Sequence, residues 1–245
     1  MDLQGKSVLL TGASGPTGQV IARELHSKGA NLKVSARNVE ALEGLKRDLE
    51  GERVEVLAGN LETPEDARAL AERAGDLDVL VSFAGISPVG PIEEHPTDEV
   101  DRVIDVNLHA PIHLAQAVLP GMKERGRGHL VFFSSISGKS PSKGRSLYSA
   151  ACYGVRGFAN CLHLDLHGTG VDVTTIMPGP IMTPGDDEKP GFSLDIPPER
   201  VAKAVVRGIE RNKREITVAP VVMKVFLGIG NLAPGLLLRT GPEPD

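Results

Sequence analysis

The 245-residue chain has no tryptophan, two tyrosines and six phenylalanines, so its interior has to be aliphatic rather than built on aromatic stacks. Its two cysteines, Cys152 and Cys161, are too few and too close for a disulfide framework, and neither sits in a CxxC or Cys/His spacing that would hold zinc. Without such a framework, a reducing cytoplasm is the expected location. A basic excess is also missing: 27 Lys and Arg face 32 Asp and Glu, a formal charge of −5, and the basic residues are scattered. That excludes the stripe of positive charge by which proteins hold nucleic acid. Long apolar runs are absent as well. Residues 225–238 are apolar, but Gly and Pro interrupt them and they fall short of the roughly 20 residues of a spanning helix. They read as substrate cover or a partner surface, with no membrane span. The opening MDLQGKSVLL runs straight into an apparent strand, without the basic and apolar segments of an export signal, so no export is expected.

What is present is an alternation. Strand-like apolar runs at residues 7–10, 32–36, 54–57, 79–82, 130–134, 171–177 and 216–218 are separated by stretches with apolar residues at helical spacing, at 18–28, 39–50, 64–73, 98–125, 148–167 and 198–212. Strand, helix and strand in repetition make a parallel sheet, because each crossover must return the chain to the same edge and so covers the faces with helices. The expected fold is α/β: one Rossmann-type, doubly wound domain with a seven-stranded, mainly parallel sheet and helices on both faces. Ligands of such sheets sit at the strand C-terminal ends. The polar, Pro/Gly-rich residues of about 180–197 follow a strand at that end and read as a lid, with an extension after about 220.

Two segments carry chemistry by themselves. Thr11-Gly12-Ala13-Ser14-Gly15-Pro16-Thr17-Gly18 joins the first strand to the first helix, where backbone N–H groups and a helix N-terminus hold a pyrophosphate. Glycines alone would equally make a turn with no ligand. Ser35-Ala36-Arg37 follows the second strand, where an acid would bind the ribose hydroxyl of NAD and a base suits the 2′-phosphate of NADP. Arg37 therefore favours NADP over NAD, the alternative being a solvated arginine at a strand end. The pairs His109/His113 and His163/His167 stand four apart but lack the Glu or third ligand of a zinc motif, so surface or packing roles and no metal are expected.

In order and spacing the chain resembles the short-chain dehydrogenase/reductase family from about residue 3 to residue 218. The loop is similar to that family's TGxxxGxG, with Gly12 and Gly18 in place and Pro16 at the middle glycine, which implies cofactor contacts from Gly12, Ser14 and Gly18. Asn60-Leu61 stands where the family places an Asp beside the adenine, and Ser82-Phe83-Ala84-Gly85 resembles Asn-Asn-Ala-Gly, of which Ala84 and Gly85 remain. Asn107 matches the asparagine that bends a long helix and holds a water of the proton relay. Ser135 and Tyr148, thirteen positions apart, match the serine that orients the substrate oxygen and the tyrosine that exchanges its proton. Pro178-Gly179-Pro180-Ile181-Met182-Thr183 is similar to PGxxxT, in which Gly179, Ile181 and Thr183 adjoin the nicotinamide.

One departure concerns the chemistry directly. Four residues after its tyrosine the family carries a lysine whose charge lowers the phenol pKa and whose ammonium holds the ribose; here that residue is Cys152. Without the cation Tyr148 is expected to titrate near its ordinary value of about 10, and a lost acid–base aid costs roughly 10²- to 10⁴-fold. Lys139 and Lys143 lie in the preceding loop as candidates for rescue, although loop lysines are far more often solvated than catalytic, and Cys152 itself reads as a packed side chain rather than a nucleophile. The resemblance thus implies an NADP(H)-linked oxidoreductase for a carbonyl or secondary alcohol with weakened activity. Its alternatives are a non-redox member that binds a nucleotide or metabolite as a sensor or partner protein, and an enzyme using Ser135 and Tyr148 for proton transfer without hydride. In resembling proteins the helices at 98–125 and 148–167 form subunit contacts, so a homodimer or homotetramer and a small-molecule substrate are expected.

Overall fold

A computed structural model of the protein describes residues 1–51, 53–183, 194–224 and 227. Seven strands, β1 (Ser7–Thr11), β2 (Asn31–Ser35), β3 (Val54–Val56), β4 (Val79–Ser82), β5 (Gly128–Phe133), β6 (Val171–Pro178) and β7 (Glu215–Val218), form one sheet in the order β3-β2-β1-β4-β5-β6-β7. Every neighbouring pair is parallel. Both faces are covered, which is why β4 reads VLVS with all four residues buried instead of alternating apolar and polar.

The helices around the sheet among the described residues are α1 (Pro16–Ser27), α2 (Val39–Asp48), α3 (Pro64–Ala74), α4 (Thr97–Ile104), α5 (Ala110–Glu124), α6 (Ser146–Asp165) and α7 (Pro198–Arg211). Ile21, Leu25, Leu42, Val205 and Ile209 from α1, α2 and α7 pack one face of the sheet. Leu70, Leu114, Val155 and Leu162 from α3, α5 and α6 pack the other, with Phe132 of β5. The chain walks from β1 out to β3, then crosses back to place β4 on the far side of β1. The connections that follow β1 and β4 run to opposite sides of the sheet, so the loops at the C-terminal ends of these neighbouring strands diverge and open a crevice there.

The 98–125 periodicity, read as one helix, resolves into α4, a single π-turn at Asp105–His109, and α5. Pro111 explains the break: it has no N–H for the carbonyl of Asn107, so the ladder shifts register there. The wider turn carries Asn107 inward, where it is buried. Of the expected lid, residues 184–193 lie outside the described residues, as does nearly all of the chain after 224. The lid's two ends are joined: Met182 N donates to Ile196 O at 3.0 Å, and Ile196 N to Pro180 O at 2.8 Å.

Candidate functional site

A cleft of about 690 Å³ runs along the C-terminal ends of β1 to β4. Seven expected residues line it: Gly12, Ser14, Arg37, Asn60, Leu61, Ala84 and Gly85. A smaller cavity of about 200 Å³ adjoins it, lined among others by Asn107, Tyr148, Cys152, Pro178 and Ile181. Phe83, Ala84, Gly85 and Ile86 line both, so the two spaces are continuous. Phe83 meets Phe133 edge-on at 4.6 Å between ring centres, which makes it a wall of the site as well as a packed side chain.

The glycine loop is built for close approach. Gly12 has φ +73°, and a Cβ there would stand 2.9 Å from Ala84 Cα; a Cβ on Gly18 would meet Gly12 O at 2.1 Å. Gly18 is thus buried beneath the loop and touches neither cavity. Pro16 opens α1 at a first-turn position, where its fixed φ is compatible with the helix, and Gly15 is the N-cap. No side chain caps this N-terminus, so its orphan N–H groups face the cleft as anion donors, one fewer than a glycine at 16 would allow. Thr11, which opens the loop but carried no expected role of its own, braces the neighbouring strand end. Its Oγ1 accepts from Phe83 N and Ala84 N, both at 3.1 Å.

Asn107 makes a reciprocal pair with the loop after β4. Its Nδ2 donates to Ile86 O at 2.6 Å and its Oδ1 accepts from Ile86 N at 2.8 Å. The asparagine therefore fixes the strip shared by the two cavities. Ser135 is buried behind the smaller cavity; its hydroxyl donates to Pro178 O at 3.3 Å and accepts from Ser137 N at 3.2 Å. Tyr148, near the start of α6, brings its hydroxyl within hydrogen-bonding reach of both Ser135 and the Cys152 thiol one helical turn on.

Burial, and then the thiol beside it, push the Tyr148 phenol well above its ordinary range, against smaller downward pulls from Ser135 and Arg145. This corrects the expectation of a value near 10: removing water from the phenolate matters more than the missing lysine charge alone suggests. Burial likewise pushes the Cys152 thiol up to about 11, so it stays neutral, and at 4% exposure it packs as a small apolar group. Lys139 does not reach the cavity. Its ammonium is held by Thr217 Oγ1 at 2.8 Å and by Glu215, which also pairs with Arg156 at 2.8 Å. Lys143 lines neither cavity.

At the far end, Gly179 N donates to Val218 O at 2.8 Å, so Gly179 ties β6 to β7 rather than lining a cavity. Ile181 lines the smaller cavity and Thr183 is the last residue before the undescribed segment. At the near end Asn60 Oδ1 accepts from Leu61 N at 2.9 Å and Asn60 Nδ2 donates to Glu62 at 3.0 Å. Glu62 and Arg102, both in the cleft wall, were not legible in the sequence because they come from positions 40 residues apart with no local motif. Among the described residues no three His, Cys, Asp or Glu side chains converge as a metal site. A cradle that side chains would fill, an uncapped helix start and an arginine at the cleft's end fit a dinucleotide.

Residues 6–191 match the family model described as short chain dehydrogenase. The chain belongs to the short-chain dehydrogenases. It is 33% identical over 260 residues to a mouse dehydrogenase/reductase SDR family member 7B, covering 97% of this chain and 80% of that protein. Among solved structures, a metagenomic short-chain oxidoreductase in complex with NADP superposes with a TM-score of 0.77 at 30% identity, over 89% of this chain and 98% of that one. A Burkholderia phymatum short-chain dehydrogenase/reductase in complex with NAD shares the fold at TM-score 0.85 and 18% identity, over 100% and 98% of the chains. This short-chain dehydrogenase is thus an oxidoreductase by family, with a nucleotide-binding Rossmann-type fold. No helix among its described residues is long and apolar enough to cross a membrane.

Proposed function

We propose that the protein is an NADP(H)-linked oxidoreductase of a carbonyl or secondary alcohol, working with a weakened proton relay. The observation that carries this is the meeting of Ser135 and Tyr148 beside the small cavity, which opens into a cleft that ends at Arg37. Gly12, Ser14, the start of α1, Arg37, Asn60 and Leu61 would hold the nucleotide, and Ala84, Gly85, Ile181 and Thr183 the nicotinamide half. A nicotinamide cofactor supplies or takes the hydride at the substrate carbon. In the reductive direction Tyr148 Oη gives its proton to the oxygen that gains charge, and Ser135 turns its hydroxyl from Pro178 O to that same oxygen. Asn107 holds the Ile86 backbone that walls the reacting centre. Cys152 offers no charge to the tyrosine, which leaves it a fair proton donor and a poor base.

A small cavity lined by Phe83, Phe133, Val155, Pro178 and Ile181 suits an apolar substrate of modest size. We place the enzyme in the cytoplasm as one domain per chain and as a homodimer or homotetramer through α5 and α6, where Tyr153 and Leu164 of α6 are exposed. The high pKa of Tyr148 also supports a second reading, a member that binds the dinucleotide without turning it over. Titration of the protein with NADPH and NADH tests the first step, with micromolar, one-to-one NADPH binding and weaker NADH binding expected. Cys152→Lys is then expected to raise NADPH-dependent carbonyl reduction by roughly 10- to 100-fold. Binding without any gain from Cys152→Lys favours the non-redox member, and no binding of either nucleotide removes both readings.

A further inference from the structure

Arg37, Glu62 and Arg102 reach the same stretch of the cleft wall from the end of β2, the loop after β3 and α4. Arg102 Nε lies 2.7 Å and an Arg37 terminal amine 3.4 Å from one and the same oxygen of Glu62. The other Glu62 oxygen accepts from Asn60 Nδ2 at 3.0 Å. The Asn60 bond, and then the two arginines, hold the Glu62 carboxyl below its ordinary range against the opposing effect of burial, so it is charged at neutral pH. Two cations and one anion leave this corner one positive charge in excess.

The geometry leaves donors unspent. Among the described residues Arg102 is paired only through Nε, to Glu62, and its two terminal amines carry no bonded acceptor. Arg37 is 60% exposed and reaches Glu62 at a long 3.4 Å, a weak hold. A hydroxyl has one oxygen and no charge to offer these groups, whereas a phosphomonoester brings two negative charges and three acceptor oxygens, the match for guanidinium forks. Among the described residues the Glu62 carboxylate is the group that competes with such an anion for both arginines.

Resting on the NADP(H) reading above, we propose that Arg102 completes with Arg37 the site of the cofactor's 2′-phosphate, and that Glu62 sets cofactor specificity by competing with that phosphate for the two guanidinium groups. Glu62 keeps both arginines placed when the phosphate is absent and lowers the preference for the phosphorylated cofactor when it is present. Asn60, through its bond to Glu62, is the positioning residue of the set.

The test is calorimetric titration of the whole chain with 2′,5′-ADP, 5′-ADP, NADPH and NADH. Arg102→Met is expected to weaken 2′,5′-ADP and NADPH about tenfold while 5′-ADP and NADH change less than about twofold, and Glu62→Gln to tighten 2′,5′-ADP roughly three- to tenfold. Unchanged 5′-ADP binding serves as the check that each variant is folded. Equal losses for all four ligands, or none, in Arg102→Met overturn the proposal, as does weaker 2′,5′-ADP binding by Glu62→Gln. Loss in Arg37→Met but not in Arg102→Met leaves the NADP(H) reading standing and removes this one. Failure of the unaltered protein to bind NADPH and NADH removes both.

Discussion

In the proposed mechanism the chemistry turns on the side chain at position 152. A lysine there would offset the cost of desolvating the Tyr148 phenolate; the Cys152 thiol, neutral with its pKa pushed up to about 11, adds to it instead. The consequence depends on direction. A tyrosine whose pKa is raised is fully protonated at neutral pH, so donation to an alkoxide is available throughout, while proton abstraction from an alcohol draws on a rare phenolate. The rate of alcohol oxidation is therefore expected to climb close to tenfold per pH unit from pH 7 to 10 without a plateau, with carbonyl reduction nearly flat. In Cys152→Lys the oxidative plateau should appear below pH 10, because the ammonium favours the phenolate. A pH–rate profile in both directions checks this; an oxidative plateau near neutrality in the unaltered enzyme would show that some other group serves as base.

Two elements hold the site by backbone more than by side-chain chemistry. The π-turn at Asp105–His109 turns Asn107 toward Ile86, and the two hydrogen bonds made there join α4 and α5 to the loop after β4. Asn107→Ala leaves both Ile86 groups without their partner and is expected to lower stability by about 1–3 kcal/mol in urea unfolding. Activity should fall further than stability explains, since the wall shared by both cavities is released. The glycine loop is under a steric limit instead. Gly18→Ala places a methyl 2.1 Å from the Gly12 carbonyl, and relief means lifting the loop off α1. NADPH affinity should drop by about tenfold or more and the melting temperature should fall by several degrees, with the Gly44→Ala control on α2, whose nearest contact is 3.9 Å away, unaffected in binding.

For the molecule as a whole, one buried imidazole ties stability to pH. His129 of β5 is fully buried and paired at 2.8 Å with Thr174 Oγ1 of β6, which itself donates to Lys213 O at 2.7 Å. Thr174 must then accept, so the His129 proton is assigned to Nε2 and Nδ1 is left without a partner. Burial first, and the positive N-terminus second, push the imidazole down to about 3. Because the folded pKa lies below the unfolded value of about 6.5, the unfolded chain binds the extra proton. Stability is complete above about pH 6.5 and is lost as pH falls toward 3, by up to about 1.4 kcal/mol per pH unit. His129→Gln should flatten that slope by one proton in urea unfolding at pH 4–7; an unchanged slope would assign the acid sensitivity to the carboxylates.

Strand number, helix positions and parallel topology were legible in the sequence because they rest on local periodicity, which shows in apolar spacing over 5 to 20 residues. The same holds for Gly12, Arg37, Ala84, Gly85 and Tyr148, whose place at strand ends or on the following helix follows from chain order alone. The engagement of Lys139 by Glu215 and Thr217 and the meeting of Glu62 with Arg37 and Arg102 were not. These pairings join residues 25 to 78 positions apart, and no local pattern records which charged side chain will face which. The pKa of Tyr148 belongs with them: the sequence shows that a cation is missing, but only the packing around α6 sets how much water is excluded from the phenol. What the sequence by itself determined was therefore the fold and the kind of chemistry, since both follow from local order. The pKa of Tyr148 and the charge balance around Glu62 in the cleft were decided by tertiary structure, because electrostatics act through space and depend on burial.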